Sequence, residues 1–199
     1  MIRFAKVPID GQGDPSIPNL SSQAASLSLV WLAIVVLAAG CAAVKPGDMV
    51  PTNFVLEHKH AASVSLSVPR GTRNAVYGEG HWTSQLTAGA FADSLTRSLQ
   101  ESGVFSAVLN SPEADYALHV SFVSANEEGA LNKTVDLVTK WILSKKSTGE
   151  DVFRENVSTT YTAKLGRAFD GGVRLRLANE GAARENIQEG IRRFSTLNL

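Results

Sequence analysis

The alternation of apolar and polar residues switches period several times along the chain. From Ser63 to Val68, Val64, Leu66 and Val68 alternate with serines, the period-two pattern of a half-buried strand, and Pro69-Arg70-Gly71 ends it. From Thr87 to Ser102 the spacing becomes helical. Phe91, Leu95 and Leu99 recur every fourth residue with Leu86 and Ala90 broadening the stripe, and Gly103 stands where a left-handed helix stop is needed, with Val104 and Phe105 folding back onto the last turn. Ser111-Pro112-Glu113 then supplies a turn, and Tyr116, Leu118, Val120 and Phe122 share one face of a second strand that leaves His119 and Ser121 on the other.

A hairpin follows. Val135, Leu137, Thr139, Trp141 and Leu143 alternate, the polar run Lys145–Glu150 turns the chain, and Val157, Thr159, Tyr161 and Ala163 return in phase. Leu177 to Leu197 goes back to helical spacing with Ala183, Ile187, Ile191 and Phe194 in line, and Arg192 and Arg193 late where they complement the helix dipole. The order β-α-β-β-β-α predicts an α+β, or α/β, two-layer sandwich: a mixed sheet of about four strands with two helices on one face. The first strand–helix–strand passage needs a right-handed crossover if its strands are parallel neighbours.

Ahead of these elements, residues 15–44 carry no charge, and Leu27–Ala39 is a thirteen-residue apolar core. That is short of the roughly 20 residues a helix needs to cross a bilayer, and it suits a signal peptide. The core ends in Leu37-Ala38-Ala39-Gly40-Cys41, with the chain's single cysteine last. Residues 27–41 resemble the lipoprotein signals of bacteria. The resemblance implies cleavage between Gly40 and Cys41, a diacylglyceryl group on the Cys41 thiol, and a further acyl chain (palmitate or similar) on the new amine. The leader departs from the pattern in its length and in setting Asp10 and Asp14 against Arg3 and Lys6. The alternative is an uncleaved anchor extending to Val44. Ala42, where the enterobacterial inner-membrane signal has aspartate, points to the periplasmic face of the outer membrane.

This divides the chain into a signal peptide at 1–40, a flexible tether at 41–60 and a periplasmic α/β domain at 61–199. Pro46, Gly47 and Pro51 break any period in the tether, which when extended would hold the domain tens of ångströms from the bilayer, at about 3.3 Å per residue. Removing residues 1–40 takes away two basic and two acidic residues and leaves zero formal charge, with no electrostatic footprint for nucleic acid. With Cys41 acylated no thiol remains for a disulfide, so stability must come from burial.

The segment Phe91–Val108 followed by Ala114–Val120 resembles the helix, turn and strand of several envelope proteins. These are the auxiliary lipoproteins of lipid-transporting ABC systems, the lipopolysaccharide-assembly lipoprotein, the curli-secretion lipoprotein and the N-terminal domain of the Tol translocation protein. The likeness runs over about 62–197 in element order. It implies a non-enzymatic accessory domain that packs on another envelope protein, with Gly103, Phe105 and Val108 as helix stop and core plug.

No catalytic constellation stands out. Lys146-Ser147-Thr148-Gly149 has no serine–lysine partner motif and reads as a turn, and Gly78-Glu79-Gly80 lacks a third small residue at Thr83. His58 and His60 alternate in the tether without further ligands, so no metal is expected, and no cofactor beyond the lipid at Cys41. His81 beside Trp82 reads as a packed or surface pair, and His119 as an exposed strand residue. In the last helix Arg174, Arg176, Arg184 and Glu185 surround the small residues Gly181, Ala182 and Ala183. They form either a docking face for a protein partner or a helix lying tight on its own sheet with its charges wet. Open sheet edges offer a second interface. The expected function is that of an accessory or assembly subunit in an envelope transport, secretion or maintenance complex. The alternatives are a periplasmic enzyme acting on envelope material and a lipid carrier, the latter requiring an apolar cavity.

Overall fold

The computed structural model describes residues 43–69 and 86–199. Gly40, Cys41, the signal segment, Gly78-Glu79-Gly80, His81 and Trp82 lie outside them. Strand β1 (His60–Ser67) leads to helix α1 (Ala88–Ser102), then come β2 (Phe105–Val108), β3 (Tyr116–Glu128), β4 (Lys133–Lys145), β5 (Glu150–Ala163) and helix α2 (Gly171–Ser195). The sheet order is β2-β1-β3-β4-β5, with β1 parallel to both neighbours and the later pairs antiparallel. Both helices pack on the same face, so the α+β two-layer class holds, with five strands where about four were expected.

The additional strand is β2. Its four residues follow directly on the helix stop, and the pattern read as a fold-back onto α1 is instead an edge strand paired with β1 at His60↔Phe105 and Val64↔Val108. Four residues are too few to show a period, and the cross-strand partner comes from about 45 residues earlier in the chain. The stop itself is as expected: Gly103 adopts φ 61° and its N–H reaches the Leu99 carbonyl. Thr87 caps the other end by accepting from the Ala90 N–H at 3.1 Å.

α2 begins at Gly171, six residues before the predicted Leu177. Gly171 and Gly172 are poor helix formers, but Asp170 accepts from the Val173 N–H at 2.8 Å and supplies the start. β3 runs past Phe122 to Glu128 because a bulge between Phe122 and Ser124 absorbs the break in alternation, leaving Val123 exposed. The β4–β5 hairpin follows the predicted phase, with Val135, Leu137, Thr139, Trp141 and Leu143 buried beneath α2.

The core lies between sheet and helices. Phe194 of α2 is its hub, with edge-to-face contacts to Phe105, Trp141 and Phe153 at centroid distances of 6.0, 5.5 and 5.1 Å.

The stretch read as a tether is mostly part of this body. Met49 is fully buried, Val44 is 8% exposed, and residues 46–49 form a 3-10 turn seated against α1 and α2. His60, placed at the end of the tether by the sequence, is a buried residue of β1 whose Nε2–H donates to the Phe194 carbonyl at 2.9 Å. Prolines and glycine removed the periodic signal, while the contacts that fix the segment come from residues some 135 positions later.

Candidate functional site

The face where the N-terminal strap (residues 43–59) crosses α2 gathers the charged residues singled out in the sequence. Its centre is Glu180, 2% exposed, whose carboxylate accepts from the Arg176 Nη1 at 3.0 Å and from the Lys45 backbone N–H at 3.0 Å. Arg176 also approaches Asp48 at 3.8 Å. Arg184 donates to the Asp48 carbonyl at 2.7 Å. A buried carboxylate is tolerable because it has both a guanidinium and an amide donor.

Arg174 is used differently. It is 5% exposed, and its Nη1 reaches the carbonyls of Ala168 and Phe169 at 2.6 Å each, bracing the loop before α2. The proposed docking face therefore needs correcting. Arg174 and Arg176 are engaged inside the fold, Arg184 is half-buried with its bond to Asp48 at the surface, and Glu185 is exposed. Arg174 turns back to carbonyls five and six residues earlier and Arg176 pairs with Glu180 one turn on, whereas Arg184 reaches a strap carbonyl 136 residues away, which spacing along one helix does not reveal.

The small residues show the same economy of space. A Cβ on Gly181 would lie 2.3 Å from Tyr161 Cδ1, and one on Gly190 would lie 2.6 Å from Trp141 Cη2. The helix lies tight on its own sheet, as the second reading of that stripe expected. Between the two glycines Asn186 fills a polar position in the core. Its Oδ1 accepts from Thr139 at 2.5 Å, its Nδ2 donates to the Val157 carbonyl at 3.0 Å, and the Trp141 Nε1–H donates to Thr139 Oγ1 at 2.6 Å. Sequence reasoning missed Asn186, Gly190 and Glu180 as structural centres. The signal available was their place on the apolar stripe beside Ala183, Ile187 and Ile191.

α1 meets the strap with hydroxyls. Ser94 Oγ lies 2.8 Å from the Pro46 carbonyl and 2.7 Å from that of Ala90, and Ser98 Oγ donates to the Ser94 carbonyl. Two clefts flank the strap. One of about 500 Å³ is lined by Pro46, Gly47, Asp93, Thr96 and Arg97, and one of about 270 Å³ by residues including Asp48, Tyr161, Arg167, Glu180 and Arg184. At the far end of α2, Arg192 and Arg193 donate to Glu189, whose carboxyl is held down to about 2, and Arg193 also pairs with Glu155 at 2.6 Å. Asp115 is likewise lowered by donors from Ser63, tying β1 to the start of β3.

Among the described residues no three His, Cys, Asp or Glu side chains come together in a metal-binding group, and no helix is long and apolar enough to cross a membrane. The two histidines of the expected tether differ in place: His58 is exposed, while His60 is buried with its Nε2–H on the Phe194 carbonyl.

No family model and no curated protein matches the sequence. Solved structures do match the fold. A Xanthomonas campestris protein superposes with a TM-score of 0.54 at 14% identity, over 76% of this chain and 89% of its own. This likeness shows a shared fold. Weaker matches include a minor lipoprotein from Acinetobacter baumannii, with TM-score 0.42, 12% identity and 72% and 94% of the two chains covered. Another is lipoprotein B from Nitrosomonas europaea, with TM-score 0.44, 13% identity and 73% and 90% covered. Bacterial lipoproteins are thus among the chains that resemble this one.

Proposed function

We propose that the chain is a lipoprotein of the bacterial envelope, acylated at Cys41 after cleavage at Gly40, whose domain serves as a non-enzymatic accessory or assembly subunit. The observation that carries this reading is the junction of leader and body. The apolar core and Leu37–Cys41 run directly into a strap that is fastened to α2 from Val44 onward, so the modification point stands within a few residues of the folded surface. Three acyl chains hold such a body to its membrane durably. Concentration at the membrane surface then lets a modest protein interface recruit it.

The accessory role is supported by how the ionisable groups are spent. Arg174, Arg176, Arg192, Arg193, Glu180 and Glu189 brace loops, strap and helix, and the two clefts beside the strap are surface features. Ala42 favours the outer membrane as the address.

Two measurements test the reading. Cys41→Ala should abolish palmitate labelling and accumulate a precursor that keeps residues 1–40; labelling that persists in the variant refutes the anchor. Cross-linking in intact cells should capture the acylated chain with another envelope protein, and recovery of the monomer alone under conditions that capture known envelope complexes would count against a subunit role.

A further inference from the structure

Three of the five large hydrophobic residues exposed among those described lie at one end of the molecule: Leu131 at 67%, Leu165 at 39% and Phe169 at 96%. They belong to two adjoining turns. Leu131 is in the β3–β4 turn and the others precede α2, and the turns are joined by the Leu165 N–H donating to Asn132 Oδ1 at 3.0 Å. Phe169 is held in place rather than dangling, because buried Arg174 grips its carbonyl and that of Ala168. An aromatic ring kept in water on a braced loop is a standing cost that a neighbouring apolar phase would relieve.

The strap indicates which phase is at hand. The Lys45 N–H is bonded to Glu180, nine residues into α2 and so about 13 Å along the axis from its first residue, at roughly 1.5 Å per residue. Cys41 is four residues before Lys45, a span of up to about 13 Å. A lipid on Cys41 can therefore reach the level of the α2 N-terminus, where the apolar end begins. Lys164 and Arg167 flank Leu165 and Phe169, while Asp170 on the same loop is turned back as the α2 cap. At the adjoining turn exposed Glu128 stands opposite Thr134, and Lys133 donates to the Gly129 carbonyl.

We infer that this end is a membrane-contacting tip, with Phe169, Leu165 and Leu131 entering the headgroup region of a phospholipid bilayer and Lys164 and Arg167 meeting its phosphates. The tip fixes the domain's orientation, with the long β3–β4–β5 end toward the lipid and the β4–β5 turn at Thr148 away from it. Apolar side chains beside cationic ones are the combination that binds an interface, and the tip adds a second attachment to the acyl anchor. The inference deepens the proposed anchoring at Cys41 by assigning the surface that meets the same membrane.

The test places a photoreactive benzoylphenylalanine at position 169, or at 148, in the full chain expressed with its own leader and reconstituted into vesicles of phosphatidylethanolamine and phosphatidylglycerol. The expected result is a mass shift of one phospholipid on the peptide bearing position 169 and none at 148. The double variant Leu165→Asp with Lys164→Glu should reduce the adduct at 169 while leaving the unfolding temperature in place, since both side chains are solvent-exposed. Equal lipid adducts at both positions, a cross-linked second copy, a cross-linked partner protein, or no adduct at 169 overturns the tip. The mass of the Cys41 peptide in the same digest separates the two claims: an adduct at 169 with unmodified Cys41 supports the tip and removes the anchor, whereas acylated Cys41 without an adduct removes the tip alone.

Discussion

Gly190 of α2 lies against the indole of Trp141 in β4, so near that a Cβ at this position would stand 2.6 Å from Cη2. Trp141 is fully buried and its Nε1–H is tied to Thr139, so the ring has little room to withdraw. Gly190→Ala should therefore destabilise the domain by about 1–3 kcal/mol through overpacking, against a helix-propensity gain of at most about 1 kcal/mol. Urea unfolding reads the difference. Gly181→Ala should cost less, because Tyr161 is only partly buried and can swing outward; a larger loss at Gly181 than at Gly190 would contradict this account.

Asn186 is the polar keystone beneath the same helix. Asn186→Ala leaves the Val157 carbonyl and the Thr139 hydroxyl without their partner, at about 1–3 kcal/mol for each buried group left unsatisfied. Adding Thr139→Val removes the orphaned hydroxyl but leaves the buried Trp141 Nε1–H without its acceptor, so the double variant should be no more stable than Asn186→Ala alone, which a double-mutant cycle in denaturant would measure.

The strap's attachment depends on Glu180. Glu180→Ala abandons the guanidinium of Arg176, whose side chain is 14% exposed, and removes the acceptor of the Lys45 amide. Loss of one partner of a buried ion pair costs about 3–5 kcal/mol. Hydrogen exchange should accelerate first at residues 45–50. Unchanged protection there would mean that buried Met49 and the bonds from Ser94 and Arg184 fasten the strap without Glu180.

The α2 C-terminus predicts an acid dependence. The Arg192 and Arg193 side chains hold Glu189 at about 2, below the usual 4.5, so the folded state binds its proton less readily than the unfolded chain does. The stability this contributes is fully present above about 4.5 and is lost as the pH falls toward about 2. Glu189→Gln should flatten the corresponding part of the curve of unfolding temperature against pH, and an unaltered slope would show that other carboxylates dominate.

The chain's local pattern carried most of the architecture. Alternation at Val135–Leu143 and Val157–Ala163 marked the hairpin, fourfold spacing at Phe91–Leu99 marked α1, and Gly103 marked its end, because burying one face of a regular element forces that period on the sequence. The proposed lipid-attachment signal ending at Cys41 is equally local, a short apolar core followed by small residues and the single cysteine. Tertiary structure alone decided that β2 is a strand, that residues 44–57 belong to the body, and that Glu180 and Arg184 fasten the strap. Each of those outcomes depends on a donor meeting an acceptor or a side chain meeting a cavity far away in sequence. Lys45 with Glu180 and His60 with Phe194 are such pairs, and no period along a single segment encodes a partner more than 130 residues distant.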